Sequence, residues 1–255
     1  ASYDVLLTNA GGTAFGGPAT LIVTSPLSAR LSNVSVLTTL AANQILTVGL
    51  TMQGGAKPVL LRAAGPGLGA LGVPGTMTDP KLALFNGSTQ IAANDNWGTP
   101  ASDVATVSAA INSLGAFPFP GTNSLDAAMV APFEGGRTAQ VSGPTAGTMI
   151  VEAYDAADGN TVRLTNISAL NSVGPGSPLI AGFTIAGTGS KNLLIRAVGP
   201  SLGALGVPGT LADPKLVLQT SGQVAVAEND TYAASLANVF TSVGAFAFQP
   251  GAKDA

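Results

Sequence analysis

The amino-acid sequence predicts a mainly β chain: two tandem homologous antiparallel β-sandwich or jelly-roll-like domains, each carrying one short helix. Three observations lead there. The chain repeats itself, its apolar residues alternate with a period of two, and Gly, Pro, Asn and Asp punctuate the alternating runs.

The duplication decides the domain count, because a repeat sets the unit that must fold. LLRAAGPGLGALGVPGTMTDPKLAL, from Leu60 to Leu84, recurs as LIRAVGPSLGALGVPGTLADPKLVL, from Leu194 to Leu218. RLSNVS from Arg30 matches RLTNIS from Arg163, and LTVGLTMQG from Leu46 matches LIAGFTIAG from Leu179. TLIV at Thr20 matches TMIV at Thr148, and SLGAFPF at Ser113 matches SVGAFAF at Ser242. Lys253-Asp254-Ala255 falls where Leu125-Asp126-Ala127 falls in the first copy. The units therefore read as residues 1–127 and 128–255, joined without a linker. Domain two would then present to whatever follows it the surface that domain one presents to domain two. Repeated by a second molecule, that contact does not close on itself and builds a filament.

Within each unit, Leu46, Val48, Leu50 and Met52 alternate with polar or small residues, as do Leu179, Ala181, Phe183 and Ile185. This is the pattern of a half-buried strand. Turn residues separate further short apolar runs. The helix is expected where Val104, Val107, Ile111 and Leu114 fall at helical spacing after a cap at Ser102 or Asp103, ended by Gly115. Leu236, Val239, Phe240 and Val243 repeat it before Gly244.

The block L-[IL]-R-A-[AV]-G-P-x-L-G-A-L-G-V-P-G, followed by D-P-K-L and N-D and preceded by L-[ST]-N-[VI]-S, resembles a repeat of large secreted and surface proteins of environmental bacteria. The resemblance covers nearly the whole chain. It implies an extracellular, repetitive, structural or adhesive role and brings no catalytic residues. An aromatic often follows N-D-x in that family, and here Trp97 and Tyr232 stand near it.

Composition narrows the chemistry. Charged residues make up 9% of the chain against about 25% in ordinary globular proteins, and such a neutral surface favours self-association. The ten basic residues are scattered singly, whereas phosphate-backbone binding needs them clustered, so no nucleic-acid partner is expected. The chain has no Cys and no His, which removes thiolate nucleophiles, Ser-His-Asp systems and the usual transition-metal sites. Glu134, Glu152 and Glu228 occupy unmatched places in the two copies, so a repeated carboxylate dyad is not expected either. The chain opens at Ala1 without an initiator Met, as a processed exported precursor would. The uncharged stretches Leu31 to Ala56 and Leu164 to Ser190 are broken by Asn, Gln, Gly or Pro, so no membrane span is expected.

Four sets of residues are candidates for particular roles. GLGALG at Gly67 to Gly72 satisfies G-x-G-x-x-G, but Val73-Pro74-Gly75 breaks the helix that a nucleotide site needs, and the second copy has Ser201. A tight loop against the sheet is expected there. Arg62 and Arg196, set in apolar runs, are expected to be partly buried and to clamp loop carbonyls or a repeated carboxylate, with Asp79 and Asp213 or Asp95 and Asp230 available. Asp155, Asp158 and Asn160 in YDAADGN offer oxygen ligands to calcium. Yet Asp-Gly is an ordinary hairpin turn and the first copy has SPLSA there, so a turn is expected. Asn33, Asn86, Asn166 and Asn229 lie in N-x-S/T sequons.

No enzyme and no cofactor are expected. The expectation is a structural subunit of an extracellular bacterial filament, sheath or surface array, its partner a second copy of itself bound head to tail. The alternative is an adhesin or carbohydrate-binding module, with Trp97, Tyr232, Tyr154 and Tyr3 as stacking faces for glycans.

Overall fold

A computed structural model describes residues 2–9, 12–20, 29–156, 161–174 and 178–255, with side chains described from residue 29 onward. The structure is mainly β with a few short helices, and its contacts group into two compact units. Unit 1 comprises residues 1–171 and 179–190; unit 2 comprises residues 172–178 and 191–255.

Unit 1 is organised by one long strand. The strands before it are β1 (Ser2–Asn9), β2 (Gly12–Thr20) and β3 (Arg30–Leu40), and the long strand is β4 (Leu46–Ala64). The alternation predicted from Leu46 holds: Leu46, Val48, Leu50 and Met52 are buried. From Val59 to Ala64 every residue is buried, so this half is covered on both faces. Between the halves the strand bends at Gly54 and Gly55, whose φ values of 96° and 135° suit glycine. A Cβ on Gly54 would also meet the Thr161 carbonyl oxygen.

The bend lets β4 serve several neighbours. After it come α1 (Pro66–Ala70), β5 (Lys81–Asn86), β6 (Thr89–Asn94) and α2 (Ala101–Leu114), then β7 (Ala127–Ser142), β8 (Gly147–Asp155), β9 (Arg163–Leu170) and β10 (Ile180–Ala186). β7 runs antiparallel along one edge of β4, from Leu46↔Val141 to Ala63↔Ala127, with a register jump between Met52 and Lys57. There Gly135 of β7 has a φ of 70°. Along the other edge β9 pairs with the first half of β4 and β8 with the second. The result is a barrel-like eight-stranded sheet in the order β10-β3-β8-β4-β7-β5-β6, with β9 joined to β3 and β4. β1 and β2 pair only with each other among the described residues.

This topology departs from two separate sandwiches dividing at Ala127 and Ala128. β3 to β6 come from the first copy and β7 to β10 from the second, and β7 lies between β4 and β5. The sheet of unit 1 is thus woven from both copies. The physical reason is the backbone: the facing edges of β4 and β5 carry N–H and C=O groups that need partners, and β7 pairs with both.

The helix α2 starts at Ala101 after an extended Pro100 and ends at Gly115 in the left-handed region, φ 68°. Neither Ser102 nor Asp103 caps it, since Ser102 Oγ bonds Asp103 Oδ1 instead. Val107 and Ile111 bury its inner face against Leu60, Ala64, Trp97 and Phe119. The Gly-rich segment expected as a loop contains the short helix α1, so each copy holds more than one helix.

Unit 2 contains α3 (Pro200–Gly203), the hairpin of β11 (Leu216–Gln219) and β12 (Ala225–Asn229), a 3-10 turn over Ala234–Leu236 and α4 (Ala237–Ser242). Its aromatic centre is Tyr232, Phe240 and Phe248, with Phe248 4.9 Å from each of the other two rings.

Candidate assembly interface

One polar device appears in both units with the same geometry. In unit 1 the Asp126 carboxylate accepts the N–H groups of Gly65 and Gly67 at 2.8 and 3.0 Å, at the start of α1. In unit 2 Asp254 accepts those of Gly199 and Ser201 at 2.7 and 3.3 Å, at the start of α3. Both carboxylates are fully buried. The Gly67 amide that opens the G-x-G-x-x-G segment, and the Gly65 amide before it, are therefore held by the chain's own aspartate rather than left for a phosphate.

The repeated arginines clamp carbonyls in the same way. Arg62 donates to the Phe117 carbonyl and Arg196 to the Phe246 carbonyl, each at 2.7 Å. Phenylalanine rings cover both guanidiniums: Phe117 and Phe119 at 4.1 and 4.4 Å for Arg62, Phe246 and Phe248 at 4.5 and 4.8 Å for Arg196. The carboxylates proposed from the sequence do other things. Asp95 pairs with Lys81 and Asp213 with Lys253 on the surface, Asp230 is exposed, and Asp79 is half-buried beside Pro80.

Unit 1 adds buried ion pairs that the sequence did not reveal. Glu152 of β8 lies 3.2 Å from the Arg62 Nη2 and accepts a hydrogen bond from the Tyr154 hydroxyl at 2.8 Å. Burial lowers the Arg62 pKa and raises that of Glu152 despite their mutual attraction, and burial pushes the Tyr154 phenol up as well. Desolvation outweighs pairing here, the usual balance for a buried ion pair. Asp155 sits between Arg30 at 2.7 Å and Lys57 at 2.6 Å, all three buried. Both oxygens of this calcium candidate therefore face cations, and Asp158 and Asn160 lie outside the described residues. No group of three or more acidic, His or Cys side chains that could hold a metal occurs among the described residues.

The units differ in what covers them. Val59, Leu60, Leu61, Arg62, Ala63 and Ala64 are buried in β4. Their counterparts Leu193 to Val198 are each half-exposed and form no strand. Met77 is 0% exposed and its counterpart Leu211 47%. Leu82 and Leu84 of β5 are buried, whereas Leu216 and Leu218 of β11 are half-exposed. Leu71 and Leu205, at 61% and 60%, are equally exposed in both units, so the difference is not a general loosening. It follows the residues that β7 and its neighbours cover in unit 1.

No protein-family model, no curated protein and no solved structure matches this chain. A shallow groove of about 470 Å³ along β5 and β6 is lined by Ile45, Phe85, Asn94, Gln140 and the Lys81–Asp95 pair. Of the stacking faces suggested for a glycan, Trp97 and Tyr154 are buried, with Trp97 Nε1 donating to the Gly121 carbonyl at 2.9 Å, Tyr232 is half-buried, and the Tyr3 side chain lies outside the described residues. No helix among the described residues is long and apolar enough to cross a membrane.

Proposed function

We propose that this chain is a structural subunit of an extracellular bacterial filament, sheath or surface array, and that it assembles head to tail with copies of itself. The observation that carries this reading is the contrast between the two copies. Leu193, Leu194, Ile195, Ala197, Val198, Leu211, Leu216 and Leu218 of unit 2, which correspond to buried residues of unit 1, are left half-exposed or exposed, and uncovered apolar surface is where chains associate. A surface with 9% charged residues adds to the tendency to associate. In this reading the buried polar groups, Arg62 with its Phe117 carbonyl and Asp126 with its helix amides, serve the fold rather than a reaction.

Negative-stain microscopy of purified protein over a concentration series tests the proposal. Filaments that lengthen with concentration are expected, and isolated particles at every concentration contradict it. A glycan-array screen addresses the adhesin alternative, which would give sugar-specific binding by the dispersed chain.

A further inference from the structure

We propose that the apolar tip formed by Leu68 to Gly75 in unit 1 and by Leu202 to Gly209 in unit 2 is a contact between copies, with the unit 2 tip of one copy packing on the unit 1 tip of the next. The inference rests on the head-to-tail reading and names a surface for it.

The two tips match in sequence, backbone and exposure. Both read Leu-Gly-Ala-Leu-Gly-Val-Pro-Gly, with all eight residues unchanged. In unit 1 the Leu71, Gly72 and Val73 amides donate to the Leu68, Gly69 and Leu68 carbonyls at 3.0, 3.0 and 3.1 Å. In unit 2 Leu205, Gly206 and Val207 donate to Leu202, Gly203 and Leu202 at the same distances. Gly72 and Gly75 have φ values of 89° and 63°, Gly206 and Gly209 of 85° and 65°. Leu71 and Leu205 are 61% and 60% exposed, and Ala70, Pro74 and their counterparts Ala204 and Pro208 are exposed with them. A Cβ added to any of those four glycines would meet nothing within 4 Å, so the tips stand clear of their own units.

The fold accounts for only part of this sameness. The left-handed backbone favours the glycines, and Leu68 is buried. Ala70, Leu71 and Pro74 answer to neither demand, because exchanges at exposed positions usually change stability little. A second exposed turn of the repeat shows what that freedom allows. Asn86-Gly87-Ser88, between β5 and β6, becomes Thr220-Ser221-Gly222-Gln223 between β11 and β12, changed throughout and one residue longer.

Packing of like on like supplies the missing constraint. No side chain from Leu68 to Gly75 carries a polar atom, and no residue from Pro66 to Thr78, or from Pro200 to Ala212, is charged. Such a surface meets its own image without like-charge repulsion and without burying an unpaired side-chain donor. Two surfaces that fit each other in this way are held to the same residues, as these two are. Each copy offers one tip to either neighbour, so the contact is heterologous between chains although the surfaces are alike.

Leu71→Asp and Leu205→Asp, made singly, test the contact. Both side chains are mostly exposed, so neither change disturbs the fold, which circular dichroism verifies. Sedimentation over a concentration series compares the wild type, each variant alone and an equimolar mixture of the two. The wild type is expected to form oligomers that lengthen with concentration. Each variant alone is expected to need a concentration about 30-fold higher, or more, to associate, the loss that a central contact residue gives. The mixture is expected to form dimers and nothing larger, because the intact Leu205 tip of one variant meets the intact Leu71 tip of the other and no intact tip is left over. Either variant assembling as the wild type does, or a mixture that stays monomeric, overturns the tip contact while leaving self-assembly standing. Dimers of one variant alone bring equivalent tips together and overturn the pairing of unit 2 with unit 1. A wild-type chain that stays monomeric at every concentration overturns the head-to-tail reading as well.

Discussion

Replacing Arg62 with Ala separates the two units quantitatively. The guanidinium is fully buried, donates to the Phe117 carbonyl at 2.7 Å and lies 4.1 and 4.4 Å from two phenylalanine rings. A hydrogen bond from a charged donor contributes roughly 1.5–3 kcal/mol, and each desolvated cation–π contact adds about 1–2 kcal/mol. Removing the cation also strands Glu152 in a buried site, while relieving the desolvation of Arg62 itself offsets part of the loss. A net cost of about 3–5 kcal/mol follows, the range seen when one partner of a buried pair is removed. For a domain of this size that lowers Tm by roughly 6–20 °C. The sole tryptophan, Trp97, packs 5.5 Å from the Phe119 ring that covers Arg62, so its fluorescence reports the melting of unit 1 directly. Arg196→Ala, in the half-exposed counterpart, is expected to leave that transition unchanged. An Arg62→Ala chain that melts within about 2 °C of wild type would refute the argument that this buried cation holds the loop to the sheet.

Asp155→Asn leaves Arg30 and Lys57 buried together without their shared carboxylate, and should cost about 3–5 kcal/mol in chemical denaturation, whereas Asp95→Asn at the exposed Lys81 pair should change stability by less than about 1 kcal/mol. Glu152 has a folded pKa raised above 4.5, chiefly by burial, so the folded state holds the proton more tightly and its contribution to stability is lost as pH rises. Wild type should therefore match Glu152→Gln below pH 4.5 and become the less stable of the two above it, in paired denaturation curves; a gap that moves the other way contradicts the desolvation account. Gly54→Ala forces a Cβ against the Thr161 carbonyl at φ 96° and should lower stability by roughly 1–3 kcal/mol or more, read as a drop in the denaturant midpoint.

Much of the architecture was legible in the sequence, because its signals are local. The alternation at Leu46 to Met52 marks one face of β4, Gly115 ends α2 and the repeated Arg62 and Arg196 announced a shared clamp. The weaving of the copies was not legible. A repeat shows which residues are equivalent, but not whether a strand returns to its own copy or crosses to the next, and β7 crosses. Nor was the Glu152 partner of Arg62, since the first copy carries Thr24 there and the pairing has no repeated trace. Asp126 and Asp254 stood out as repeated charges, yet their role at the starts of α1 and α3 depends on a fold that brings residues about 60 positions apart together.

Hydrogen exchange at the backbone amides of Leu193 to Arg196, followed in dispersed and in assembled protein, reaches the central claim most directly. Their counterparts Val59 to Arg62 lie in a buried strand paired on both edges and should exchange slowly in both states. The Leu193 to Arg196 amides, outside any strand and half-exposed, should exchange fast in the dispersed chain and measurably more slowly once a neighbouring copy covers them. Assembled protein in which these four amides exchange as fast as in the dispersed chain would contradict the account.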